Sequence, residues 1–133
     1  MKIGFTGTQM GLSQKQKNKI NHIFNSGSIT ELHHGGCIGA DAEAHGAVLE
    51  LDHRIKIILH PPLDTSKSFH YAKSTSDEVR PAKPYLERNK DIVDETELLV
   101  ACPAQDHEVL RSGTWATIRY ARKKGKEIKI YYP

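Results

Sequence analysis

Cysteine is scarce in this chain and tryptophan scarcer, and no apolar run is long enough to cross a membrane. The two cysteines, Cys37 and Cys102, are far apart and lack the paired spacing of a zinc site or a disulfide framework. A reducing compartment fits that usage. Met1-Lys2 leads straight into a strand-like run with no signal-type segment, so a cytoplasmic location without a membrane partner is expected. Nor is there a block of like charge: 19 basic and 16 acidic side chains are well mixed, for a net +3. That balance allows nucleic acid as a secondary partner without demanding it. Self-association is left open.

What is present is periodic and regularly punctuated. The length of 133 residues suits one domain, 1–133, with a single core. Lys2 to Thr6 reads as a strand, and Gly7 and Gly11 bracket the polar loop after it. Ser13 opens a capping box with Gln16, and Ile20, Ile23 and Phe24 share one helical face that ends near Gly27. A second strand, Ile29 to Leu32, runs into the glycine-rich stretch His33 to His45. Beyond it Ala40, Ala44, Ala47, Val48 and Leu51 form a narrow stripe, suited to a helix lying close to a sheet. Arg54 to His60 is a third strand, stopped by Pro61-Pro62. Leu63 to Pro84 is a long polar excursion of the kind that often covers a site. A helix from Tyr85 to Asp94 follows, then Glu97 to Cys102, the most apolar run and hence a central strand. Ser112 or Thr114 caps the last helix, which has a basic final turn, and Glu127 to Tyr132 closes the chain as a strand.

Strands alternating with helices predict an α/β domain in three layers, with a mostly parallel sheet of about five strands. Ligands of such sheets bind beyond the carboxyl ends of the strands, where strand order reverses. The turns after Thr6, His34, His60 and Pro103 would all open towards that edge. In the second of them Gly35, Gly36 and Gly39 either make a sharp corner only or bring bare amides up to an anion.

The series GFTGTQ, HGGCIGADAEAH, HPP, ERNKDIV, LLVACP and SGTWATIRYARKKGK resembles the SLOG superfamily, which includes the DprA/SMF proteins and the LOG nucleotide hydrolases, and the likeness runs over nearly the whole chain. The resemblance implies a Rossmann-like fold that binds nucleotides or their derivatives. By it, Gly4, Thr6, Gly7 and Thr8 hold phosphate or ribose. Gly35, Gly36, Gly39 and Asp41 form the second turn, with Asp41 on ribose hydroxyls or bracing the loop. Arg88 and Asn89 match a helix signature of the family, and Arg88 is the first choice for a charged phosphate partner. Ser112, Gly113 and Thr114 stand where a helix N-terminus lies under a phosphate. Trp115 either stacks on a base or packs in the core.

One departure bears on mechanism. LOG hydrolases carry a glutamate where this chain has Thr117, so the expected activity is binding of a nucleotide or an NAD-derived phosphorylated nucleoside by a sensor, carrier or sequestering protein. LOG-type N-glycoside hydrolysis or transfer is the enzyme alternative, with Asp41, Glu43 or Glu87 as substitute carboxylates. DprA-like binding of single-stranded DNA is the second alternative. No catalytic residue is assigned. Cys37 with His34 or His45 could form a nucleophile pair, but no nucleophile elbow is written here, and Cys37 also reads as a small residue under a loop. Eight histidines invite a metal, above all His33, His34 and His45 with Cys37, yet none has the spacing of a structural zinc site, so neither metal nor cofactor is expected. His60, at a strand end, is the better ligand-site candidate. Lys67, Tyr71 and Lys73 in the excursion are placed to close over a ligand.

Overall fold

In the computed structural model, which describes residues 1–133, strands and helices alternate from β1 (Lys2–Gly7), α1 (Gln14–Phe24) and β2 (Glu31–His34) through α2 (Ala40–Leu49) and β3 (Lys56–Leu59). The chain continues with β4 (Glu78–Val79), α3 (Tyr85–Asp94), β5 (Leu98–Cys102), α4 (Gly113–Lys123) and β6 (Glu127–Ile130). The sheet has six strands in the order β4-β3-β2-β1-β5-β6, and every pairing is parallel. The α/β architecture is the expected one. The sixth strand is not: two residues of the excursion pair with Ile58 and Leu59 at the edge of β3. Their position is set by tertiary pairing and has no alternation of its own to announce it.

β5 explains the layering. All five of its residues are buried, and they alternate between two cores. Leu98, Val100 and Cys102 join Ile3, Phe5, Ile20, Phe24, Ala44 and Val48 under α1 and α2. On the other face, Leu99 meets Val93 and Ala121, and Ala101 meets Trp115 and Ile118, under α3 and α4. A strand covered on both sides needs apolar residues at every position, which is why LLVAC, Leu98–Cys102, has no polar beat.

Two local devices place the sheet's carboxyl edge. The capping box of α1 forms as expected, with Ser13 Oγ accepting from the Gln16 amide and Gln16 Oε1 from the Ser13 amide. The same Gln16 side chain, 1 % exposed, donates from Nε2 to Pro103 O and Tyr131 O, both at 2.8 Å, and so ties α1 to the ends of β5 and β6. The alanine stripe of α2 lets that helix approach so closely that a Cβ on Gly7 would stand 2.4 Å from Ala40 Cβ. Gly39 has φ +85°, and a Cβ there would meet Gln9 O at 2.3 Å. Only glycine tolerates both the angle and the approach.

Candidate functional site

Strand order reverses between β1 and β5, and a crevice of about 210 Å³ opens there beyond their carboxyl ends. Gly7, Thr8 and Gln9 form one wall, Ser112, Gly113 and Thr114 the other, with Tyr85, Ala104 and Gln105 completing it. A second cavity, of about 300 Å³, lies beyond β2 and β3 between Gly35-Gly36, Pro61-Pro62 and the excursion from Thr65 to Lys73. The turn from Gly35 to Gly39 stands between the two. The corners predicted from sequence thus share one edge of the sheet but are divided between two cavities. The division is made by the excursion, which is pinned to that turn by Ile38 N–H to Lys67 O at 2.8 Å and Phe69 N–H to Gly36 O at 3.1 Å.

Which amides remain free decides where an anion could sit. Four of those around the second glycine turn, on Gly36, Cys37, Ile38 and Ala40, are spent. Gly36 N–H donates to His34 Nδ1 at 2.9 Å, Cys37 N–H to Asp41 Oδ2 at 3.2 Å, and Ala40 N–H to Thr8 O at 2.9 Å. Thr8 N–H is engaged too, by Cys102 O at 3.1 Å. By contrast the N–H groups of Gln9, Gly113 and Thr114 have no partner in the protein. Ser112 caps α4 by accepting from Trp115 N–H at 3.2 Å, which leaves the first two amides of an 11-residue helix directed into the crevice.

The other predicted residues fall as follows. Gly4 is a packing glycine, since a Cβ there would meet Ile92 and Thr96 of α3 at 2.9 Å. Thr6 lies half-buried at the end of β1, outside the crevice. Arg88, read from sequence as an open phosphate partner, is 2 % exposed and serves as a strut. Its Nη1 donates to Gly35 O at 2.6 Å and His60 O at 3.1 Å, and its guanidinium lies 4.6 Å from the Tyr85 ring centre. Arg88 Nε and Asp41 Oδ1 are both buried without a hydrogen-bond partner. Asn89 points away from the edge, into a shallow groove between α3 and α4. Trp115 is core, 2 % exposed beside Ala101 and Ile118, so its ring offers no face to a base.

Cys37 has no imidazole partner. Burial pushes its thiol up, and its neighbours are Asp41, Arg88 and Tyr85. A Cys-His nucleophile is therefore not assembled. Asp41 is 6 % exposed, and burial raises its carboxyl to about 6 against the amide of Cys37, which lowers it. The histidines separate by strand alternation, because adjacent residues of β2 face opposite sides of the sheet. His34 pairs with His45 on the α2 side at 2.8 Å, and His33 with His60 on the α3 side at 2.8 Å. His60 is thus behind the sheet edge, not in either cavity. Sequence reading missed Gln9, Tyr85 and Gln105 in the crevice. Tyr85 carried a faint signal, an aromatic directly after the proline that opens α3.

The fold and its edge define a Rossmann-like α/β domain. Among solved structures it is similar to the molybdenum cofactor binding protein of the phototrophic bacterium Rippkaea orientalis, with a TM-score of 0.73 and 19% identity over 99% of this chain and 76% of that one. It is also similar to the structural-genomics target TM1055, with a TM-score of 0.66 and 13% identity over 96% of this chain and 71% of that one. No protein-family model and no curated protein sequence matches the chain.

Proposed function

We propose that this chain is a SLOG-type domain that binds a nucleotide or an NAD-derived phosphorylated nucleoside, with the phosphate at the start of α4. The observation that carries the reading is the set of unpartnered amides, Gln9, Gly113 and Thr114, facing across the crevice where strand order reverses. An anion there gains both the hydrogen bonds and the favourable end of the helix dipole.

Binding without hydrolysis is the better fit. No carboxylate or imidazole lines the crevice. Thr117, at the position of the LOG glutamate, is 2 % exposed and donates from Oγ1 to Gly113 O at 2.9 Å. Glu43 is committed elsewhere, accepting from Leu12 N–H at 3.0 Å and pairing with Lys17. Incubation with AMP, NAD or cyclic ADP-ribose, followed by chromatography after denaturation, tests this directly. Saturable binding with unchanged ligand is expected. Release of free base and ribose phosphate would establish the hydrolase instead. Oligonucleotide binding that outcompetes all three would point to the DNA-binding alternative. The molybdenum cofactor, the ligand of the R. orientalis protein, belongs in the same ligand panel.

A further inference from the structure

Four side chains form a line across the α3 side of the sheet, away from both cavities. Glu31 Oε1 lies 2.9 Å from His33 Nε2, His33 Nδ1 lies 2.8 Å from His60 Nε2, and His60 Nδ1 faces Glu95 Oε2 at 3.8 Å. The hydrogens along this line can be assigned. An ionised carboxylate only accepts, so the hydrogen of His33 is on Nε2 and its Nδ1 is a bare lone pair. The hydrogen between the rings therefore belongs to His60 Nε2. A neutral His60 then turns its own lone pair, on Nδ1, towards a carboxylate oxygen. Two electron-pair donors converge with no hydrogen between them.

Arg80 does not resolve this. Its Nε and Nη2 both take Glu95 Oε1 at 3.0 Å, which fixes the carboxylate and leaves Oε2 towards His60. His33 and His60 have side chains only 2 % exposed, while those of Glu31 and Glu95 are 20 % and 36 % exposed, so solvent meets the line at its two carboxylate ends. His33, His60 and Glu95 can each offer a ligand atom, all within 4.8 Å of one another.

We propose that His60 Nδ1 and Glu95 Oε2 bind a divalent transition-metal ion of the zinc type, with His33 and Glu31 as the relay behind His60 and water completing the coordination. Imidazole with carboxylate suits such ions. With bonds of about 2.0–2.2 Å, tetrahedral zinc holds its donors roughly 3.4 Å apart, so a few tenths of an ångström of movement by the half-exposed Glu95 is sufficient. The His60-His33-Glu31 line is what a metal-bound histidine needs behind it: a hydrogen bond that fixes its tautomer and ends on a carboxylate. No pair spacing in the sequence announces this, because the two donors lie on β3's carboxyl end and α3's last turn.

The test is calorimetric titration of metal-free protein with Zn(II), comparing the natural chain with Glu95→Gln and with His107→Gln, which removes an exposed surface imidazole paired with Asp106. One ion per chain should bind the natural protein and His107→Gln alike, and Glu95→Gln should weaken binding at least about ten-fold with unchanged metal-free thermal unfolding. Absence of saturable binding to the natural chain would overturn the proposal. So would equal affinity of Glu95→Gln, which would place the ion on other side chains.

Discussion

Asp41 holds the most consequential charge near the site. Its carboxyl, buried against the second glycine turn, has its pKa raised to about 6 from an ordinary 3.8. A raised carboxyl binds its proton more tightly in the native state than in the unfolded chain. The stability this confers is full below about pH 4 and is lost as pH rises through about 6. Above that, holding the charge costs on the order of 3 kcal/mol. Asp41→Asn keeps an acceptor for the Cys37 amide and removes the charge. It should raise the melting temperature at pH 7.5 and bring no gain at pH 4; an equal effect at both pH values would dismiss the assignment. Ser112 offers the complementary experiment. Ser112→Asp still caps α4, since aspartate is as good a cap as serine, but places a negative charge beside the Gly113 and Thr114 amides. Stability should hold, while affinity for AMP falls by about 1–2 kcal/mol in calorimetry.

At the scale of elements, the excursion is held by a hydrogen-bond chain whose direction is determined throughout. Gly36 N–H donates to His34 Nδ1, so His34 carries its hydrogen on Nε2 and donates to His45 Nδ1. His45 Nε2 then donates to Thr75 Oγ1 at 2.7 Å, and the Thr75 hydroxyl to Tyr71 O at 2.7 Å. Burial lowers the pKa of both imidazoles, which keeps them neutral and the polarity of the chain intact. Glycine turn, α2 and excursion are thereby joined. Thr75→Val removes the acceptor and leaves the His45 N–H unpaired, at about 1–2 kcal/mol. Amide exchange should quicken across residues 63–77 and stay unchanged in β1 and β5. Uniform acceleration over the whole chain would show that the bond is not local. The elements themselves were largely legible in the residues: the Ser13 box, the alanine stripe and ELLVAC each state their own role. Boundaries were less so. β2 lies at Glu31–His34, two residues later than its apolar run suggests, because the two histidines are paired and buried by tertiary neighbours rather than by propensity.

For the whole molecule, the central sheet carries the stability, and its carboxyl edge is where the proposed site lies. Leu99, fully buried in β5, and Leu86, 60 % exposed on α3, separate the two roles. Leu99→Ala should cost about 2–5 kcal/mol in denaturant unfolding, and Leu86→Ala close to nothing; comparable losses would mean that α3 is covered in solution. That several corners share the sheet's carboxyl edge was readable because glycine turns and a capped helix start recur after the strands. Its division into two cavities was not, since that depends on how residues 63–77 fold back over Gly36 and Ile38, nor was the use of the Gly36, Cys37 and Ala40 amides by His34, Asp41 and Thr8. Arg88 shows the same limit: a lone basic residue in a helix reads as a ligand group until its carbonyl partners, contributed by β2 and β3 turns, are in view.

The most direct measurement is a ¹H–¹⁵N titration of the protein with AMP, following the backbone amides of Gln9, Gly113 and Thr114. All three should shift together and saturate, those of Gly36 and Cys37 should move less, and Ser112→Asp should suppress the response. Amides of Gly113 and Thr114 that stay in place while AMP binds elsewhere, or while nothing in the panel binds at all, would contradict the site.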